Sequence, residues 1–266
     1  GGKGVYAETY TSDFTLRSRK YIKMELPKFG GFYEGEKYYF LAFGKENPEE
    51  SKEAEVMRIV KYDKKWNRKG AASIYGANTY SPFKNGSLRM AEAGDTLYIR
   101  TCHQMFQTSD GGRHQASAAF SVDIPNMEVK EQIAGISQTA YVSHSFNQFI
   151  LKDGSDLLAV DHGDAYPRSV ALAKYTLKAG EENVLSKGCS RVAALAIAGK
   201  VGNPYTGVSV GGFEASDAAY LITGNSVDQT PATYSSGGVR NIFVSCVRKD
   251  DFSQNGTSVH WITNYK

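Results

Sequence analysis

The stretch that decides the fold consists of two apolar runs, residues 141–150 (YVSHSFNQFI) and residues 157–168 (LLAVDHGDAYPR). Both runs are rich in the apolar and aromatic side chains that are typical of β-strands, and each contains one histidine. The second run ends in a turn that contains Gly163, Asp164 and Pro167. The same layout recurs along the chain, so the pattern predicts a repeated β-structure rather than one isolated hairpin.

Four segments of the chain share this layout. Phe32, Leu88, Phe146 and Phe213 occupy the same place in the four segments, with spacings of 56, 58 and 67 residues. A period near sixty residues, with several strand-like runs in each unit, is typical of a four-stranded propeller blade. The predicted fold class is therefore all-β: a β-propeller of four-stranded antiparallel blades, with four repeats and an incomplete N-terminal blade.

We expect residues 1–266 to form a single β-propeller domain, because no linker or change of composition divides the chain. The repeats are predicted at roughly 28–80, 81–138, 139–204 and 205–266. Residues 15–26 suggest one or two strands of the incomplete blade. The length fits a ring of four or five blades, and it also fits one half of a larger ring that a second chain completes.

Composition narrows the classes of partner. The net charge is +3 and no block of Lys and Arg resembles a nucleic-acid-binding arm, so no nucleic-acid partner is expected. No run approaches the roughly 18 apolar residues that a membrane helix needs, so no membrane span is predicted. The three cysteines show no metal-binding or disulfide spacing. The chain opens with Gly-Gly-Lys-Gly, which suggests a processed end, and an extracellular or cell-surface location is expected.

Propeller topology predicts where the polar residues gather. The first strand of a blade begins, and the second strand ends, on the same face of the disc. This rule places His103, His114, His144 and His162 together on one face. Asp161, Asp164 and Arg168 are expected to join them, and Asn225 and Asp228 occupy the equivalent turn of the fourth repeat.

These residues suggest three kinds of site. His144 or His162 could act as a general base, with Arg168 stabilising negative charge. Neutral imidazoles could bind a divalent metal, the one cofactor that the residues suggest, with His103, His144 and His162 as its ligands. A ligand could also bind without chemistry. The candidate ligand-binding residues are Tyr141, Asn147, Gln148, Asp164, Tyr166 and Asn225. The simpler alternative to all three is that these side chains hydrogen-bond the turns that carry them.

One short motif resembles a known family. Residues 108–114 (TSDGGRH) are similar to the Asp-box turn of sialidase-type propellers, although the expected tryptophan is absent. The turn also joins a second strand to a third, whereas Asp boxes usually join the third to the fourth. The arginine triad of sialidases cannot be identified, so the resemblance supports a propeller fold and no sialidase activity is inferred from it.

The whole-chain pattern resembles that of secreted bacterial β-propeller repeat proteins. The repeat architecture, the aromatic-rich turns and the lack of a recognisable catalytic set favour a binding module that recognises a carbohydrate or protein ligand through the face that carries the histidines. One rival is a polysaccharide lyase or glycoside hydrolase with a His/Arg site, assisted or not by a metal. The other rival is a structural half of a composite propeller.

Overall fold

The computed structural model describes residues 3–84, 86–136, 139–144, 146–178 and 180–265, and these ranges contain nineteen β-strands and one short helix. An N-terminal hairpin consists of β1 (Gly4–Tyr10) and β2 (Leu16–Lys23). The first sheet contains β3 (Lys28–Glu34), β4 (Tyr38–Gly44), β5 (Glu55–Asp63) and β6 (Arg68–Tyr75). The second contains β7 (Thr79–Pro82), β8 (Arg89–Ala93), β9 (Thr96–Met105), β10 (Gln115–Asp123) and β11 (Glu128–Ile133). The third contains β12 (Gln148–Asp153), β13 (Asp156–Asp164), β14 (Arg168–Thr176) and β15 (Ser190–Ala196), with helix α1 (Val184–Lys187) before β15. The fourth contains β16 (Val208–Ala215), β17 (Ala219–Ser226), β18 (Asn241–Arg248) and β19 (Thr257–Trp261).

Within each sheet the strands pair antiparallel and in chain order, as they do in a propeller blade. The second sheet varies this plan, because β7 and β8 both pair with β9 and share the place of its first strand. The predicted all-β class, with four-stranded antiparallel sheets, is confirmed.

The middle strands are buried on both faces. Every residue of β13 after Asp156 is buried, and so is every residue of β10 before Asp123. Continuous burial of this kind arises because each of these sheets lies between two neighbouring layers. It also explains why the sequence of β13 is an apolar run without strict alternation.

Four apolar clusters join neighbouring layers in chain order. One includes Ile22 and Leu41 and joins the hairpin to the first sheet. The next three join the first sheet to the second, the second to the third, and the third to the fourth. In the fourth sheet burial alternates along β17, since Ile222 packs on the third sheet whereas Thr223 is exposed.

One predicted strand position was wrong. Residues 141–150 do not form one strand, because β12 begins only at Gln148. The segment before it crosses from the second sheet to the third, and Ser143 makes single bridges to Ala116 and Ala165. Ser145 lies outside the described residues. The second sheet begins at Thr79.

In the described part of the chain, no helix is long and apolar enough to cross a membrane.

Candidate functional site

Four histidines lie where strands of the second and third sheets begin or end at one edge. His103 is near the end of β9, and His114 immediately precedes β10. His144 follows the bridging segment before β12, and His162 is near the end of β13. We call this edge, defined by these four residues, the histidine face.

A cavity of about 420 Å³ opens on the histidine face between the third and fourth sheets. This volume lies in the range of pockets that bind small molecules. Its lining includes the side chains of Phe146, Asn147, His162, Tyr205, Thr206, Ser209, Ser236 and Arg240. The cavity thus combines aromatic rings with planar hydrogen-bonding groups.

His162 forms the floor of this cavity. It is 3% exposed, and its Nε2 lies 2.9 Å from Thr206 Oγ1. Burial, together with the positive charges of Arg168 and Arg240, lowers the pKa of His162 to about 4. The imidazole is therefore neutral at pH 7 and offers one donor and one acceptor. The ring of Phe146 lies 5.1 Å from it, between centroids.

Arg240 is a residue of this cavity that the sequence-based prediction missed. Its Nη1 donates hydrogen bonds to Ser209 Oγ at 2.9 Å and to Asn225 Oδ1 at 3.0 Å. Asn225, predicted to bind ligand, therefore holds Arg240 in place. The repeat pattern contained the signal, because Arg240 precedes the third strand of the fourth sheet much as Arg168 begins that of the third.

Two other predicted ligand-binding residues serve the junction between sheets. Asn147 donates from Nδ2 to the carbonyl of Val210, and its Oδ1 accepts hydrogen bonds from Ser87 and from the backbone of Gln148. Gln148 is fully buried, and its Oε1 accepts from the Ser87 N–H. These contacts tie three sheets together and position the cavity wall.

His144 and Asp164 form a second polar group on the same face. His144 Nδ1 lies 2.8 Å from Asp164 Oδ1, and the carboxylate is fully buried while the imidazole is 30% exposed. The hydrogen bond to Asp164 raises the pKa of His144. The backbone of His144 has a φ of +47°, a left-handed conformation that is uncommon outside glycine. A hydrogen bond from the His144 N–H to Gln115 O holds this conformation.

The turn that resembles an Asp box lies beside this pair. Asp110 accepts hydrogen bonds from Thr108 Oγ1 and the Gly112 N–H, and its Oδ2 lies 2.8 Å from His114 Nε2. The rings of His114 and His144 are 6.3 Å apart. The exposed face therefore carries two His–Asp pairs side by side.

Arg168 is engaged with the backbone. Its guanidinium donates to the carbonyls of Ala198 at 2.8 Å and Asn203 at 2.6 Å, and weakly to that of Asp164 at 3.4 Å. These bonds hold the loop at 197–207 that forms one side of the cavity. The structure therefore gives Arg168 a positioning role.

Tyr141 and Tyr166 are not part of the 420 Å³ cavity. They line a separate cavity of about 550 Å³, with Tyr166 exposed. Of the other predicted ligand-binding residues, Asn147 lines the 420 Å³ cavity and Gln148 lies at the junction between sheets, whereas Asp164 pairs with His144 and Asn225 holds Arg240.

His103 is separated from the other predicted metal ligands. It is fully buried, its Nδ1 lies 2.7 Å from Thr79 Oγ1, and burial lowers its pKa to about 3. Across 3–84, 86–136, 139–144, 146–178 and 180–265, no three His, Cys, Asp or Glu side chains are grouped to hold a metal ion. The predicted metal set of His103, His144 and His162 is therefore not assembled, because each imidazole is turned to a different partner.

No protein-family model matches the chain, and no curated protein sequence matches it. Several solved structures do match the chain. A GH43 protein of Bacillus licheniformis is 11% identical, with a TM-score of 0.40, over 84% of this chain and 40% of its own. A GH32 β-fructofuranosidase of Bombyx mori is 11% identical, with a TM-score of 0.45, over 90% of this chain and 49% of its own. A complex of KlAtg21 with the coiled coil of AgAtg16 is 7% identical, with a TM-score of 0.42, over 95% of this chain and 74% of that one. This chain spans less than half the length of the first two, and no activity is transferred from them.

Proposed function

We propose that this protein is a β-propeller that binds a carbohydrate in the cavity beside His162. The observation that carries the proposal is the lining of the 420 Å³ cavity, in which a buried neutral imidazole faces aromatic rings and a guanidinium. Hydroxyl groups of a sugar are both donors and acceptors, so they match the Ser209 and Ser236 hydroxyls of the lining, while His162 and Thr206 hydrogen-bond each other beneath them. Phe146 and Tyr205 supply apolar faces for the C–H side of a sugar ring.

Tyr205 offers the cleanest test, because it is 73% exposed at the rim and its loss leaves the core intact. Binding would be surveyed on a glycan array and then measured by calorimetry for the best ligand. Tyr205→Ala is expected to weaken binding about two- to tenfold, the loss of one aromatic contact of about 0.5–1.5 kcal/mol. Tyr75→Ala, 52% exposed on the first sheet, is the matched control. Absence of any glycan ligand, or unchanged binding by Tyr205→Ala, would overturn the proposal.

A second candidate function is a polysaccharide lyase or glycoside hydrolase, and the His144–Asp164 pair favours it. A partly exposed imidazole backed by a buried carboxylate is the arrangement of a general base. In a lyase, His144 would take the proton next to a uronate carboxylate, and the leaving group would depart as the new double bond forms. Ultraviolet absorbance of unsaturated uronate products would detect turnover. Loss of that turnover in His144→Ala, with folding unchanged, is expected; a fully active variant would exclude this role.

The structural alternative, in which a second chain completes the ring, remains a prediction, as does the extracellular or cell-surface location. The alternating exposure of β17 supports the former, because Thr223 and its neighbours present one face of the fourth sheet to solvent. Light scattering coupled to gel filtration would test it: a monomeric mass at all concentrations argues against a stable second chain of the same kind.

A further inference from the structure

We infer that the sugar bound in the cavity beside His162 carries a carboxylate, and that Arg240 receives it. The inference rests on the proposed carbohydrate function and deepens it. It names an acidic sugar, such as a uronic acid residue, as the ligand class.

The hydrogen bonds of Arg240 show which part of the guanidinium is available. Within the described ranges, its bonds are made by Nη1 alone, to the neutral oxygens of Ser209 and Asn225. They fix the plane of the group while the edge formed by Nε and Nη2 has no such partner. That edge presents two parallel N–H groups, the geometry that binds a carboxylate through both oxygens.

The charges around the cavity favour an anion. Arg240 and Arg168 both place positive charge near His162, and this charge contributes to its lowered pKa. The partners of Arg168 are backbone carbonyls and the Tyr234 hydroxyl, which are also neutral. Two guanidinium groups thus stand beside one cavity with uncharged partners, so an incoming carboxylate is attracted by both.

The two arginines are not equivalent. Arg168 is 2.6–2.8 Å from two loop carbonyls that it must keep to hold the loop at 197–207. Arg240 is exposed and lines the cavity directly. The carboxylate is therefore assigned to Arg240, and Arg168 contributes long-range attraction and the shape of the wall.

The test compares oligouronates with their carboxyl-reduced, neutral counterparts in calorimetry against the full chain. The variants are Arg240→Gln, Arg240→Lys and Arg17→Gln, the last removing an equal charge from the exposed face of β2. Thermal melts establish that each variant folds. We expect the wild type to prefer the oligouronate, Arg240→Gln to lose at least tenfold in affinity for it, and Arg240→Lys to recover part of that loss. Arg17→Gln should bind like the wild type.

The outcomes separate this inference from the proposed function. Equal binding of acidic and neutral sugars, or an unchanged oligouronate affinity in Arg240→Gln, overturns the carboxylate assignment and leaves carbohydrate binding standing. Binding of neutral sugars alone also overturns the carboxylate assignment and leaves carbohydrate binding standing. If no sugar binds the wild type, the proposed function fails and the inference falls with it. Preference for the oligouronate that also weakens as salt is raised supports the ion pair.

Discussion

Replacing Asp161 by asparagine should destabilise the protein severely, because it leaves the Arg100 guanidinium buried without its counter-ion. Arg100 and Asp161 are each 1% exposed, and they join the second sheet to the third. Arg100 donates to Asp161 Oδ2 from Nε at 2.9 Å and from Nη2 at 2.5 Å, and Nη2 also binds the carbonyl of Ala140 at 2.8 Å. Removing one partner of a buried ion pair typically costs about 3–5 kcal/mol. For a chain of this size, that corresponds to a fall in Tm of roughly 6–20 °C.

Urea unfolding followed by circular dichroism would measure the loss. Asp250→Asn is the matched control, because its ion pair with Arg248 is exposed to solvent and should contribute little to the stability. The double variant Arg100→Met/Asp161→Leu removes both charges and should recover much of the stability. A loss below about 1 kcal/mol in Asp161→Asn, or a double variant no more stable than the single one, would refute the reasoning.

Three further predictions concern the histidine face. Asp164→Asn should lower the pKa of His144, because the hydrogen bond that raises it is weakened; NMR titration of the imidazole measures this, and an unchanged value contradicts the pairing. The free energy of unfolding should fall as the pH drops from about 6.5 towards 3. His103 and His162 have native pKa values of about 3 and 4, so over this range the two imidazoles bind protons in the unfolded chain before they do so in the native protein. The urea midpoint at pH 7 and pH 4 tests the sign, and a higher midpoint at pH 4 argues against it. Arg168→Met should loosen the loop at 197–207, seen as faster amide exchange there, and unaltered exchange would show that its carbonyl contacts are dispensable.

The strands that lie in the middle of a sheet could be predicted closely from local pattern. The apolar pattern of residues 116–123 predicts a strand, and β10 spans Gln115–Asp123. The pattern from Arg168 onward also predicts a strand, and β14 begins there. Such strands are long and apolar, so alternation and residue type suffice. The first strands are short and irregular. Ser143 therefore looked like part of a strand, although it makes only single bridges to its neighbours.

The irregularity of the first strands also limited what the sequence could predict about the site. The alignment on Phe32, Phe146 and Phe213 makes His144 equivalent to Gly30 and Gly211, which lie within β3 and β16. His144 instead lies outside β12, in a left-handed conformation. Its partner Asp164 could be expected nearby, because the ends of a second strand and the start of a first strand meet. Which oxygen or nitrogen each side chain reaches depends on contacts of about 3 Å, and repeat spacing carries no information at that scale.

The sequence by itself determined that this chain is all-β with four-stranded antiparallel sheets, and it predicted that four of its five histidines gather at one edge. Those conclusions need only the strand period and the direction in which each strand runs. The tertiary structure alone decided that the predicted metal set is not assembled, that Arg168 holds a loop, and that Arg240 lines the cavity. The physical reason is that these roles depend on stacking between different sheets. Stacking brings together residues more than forty positions apart, such as His162 and Thr206, through contacts that local patterns do not record.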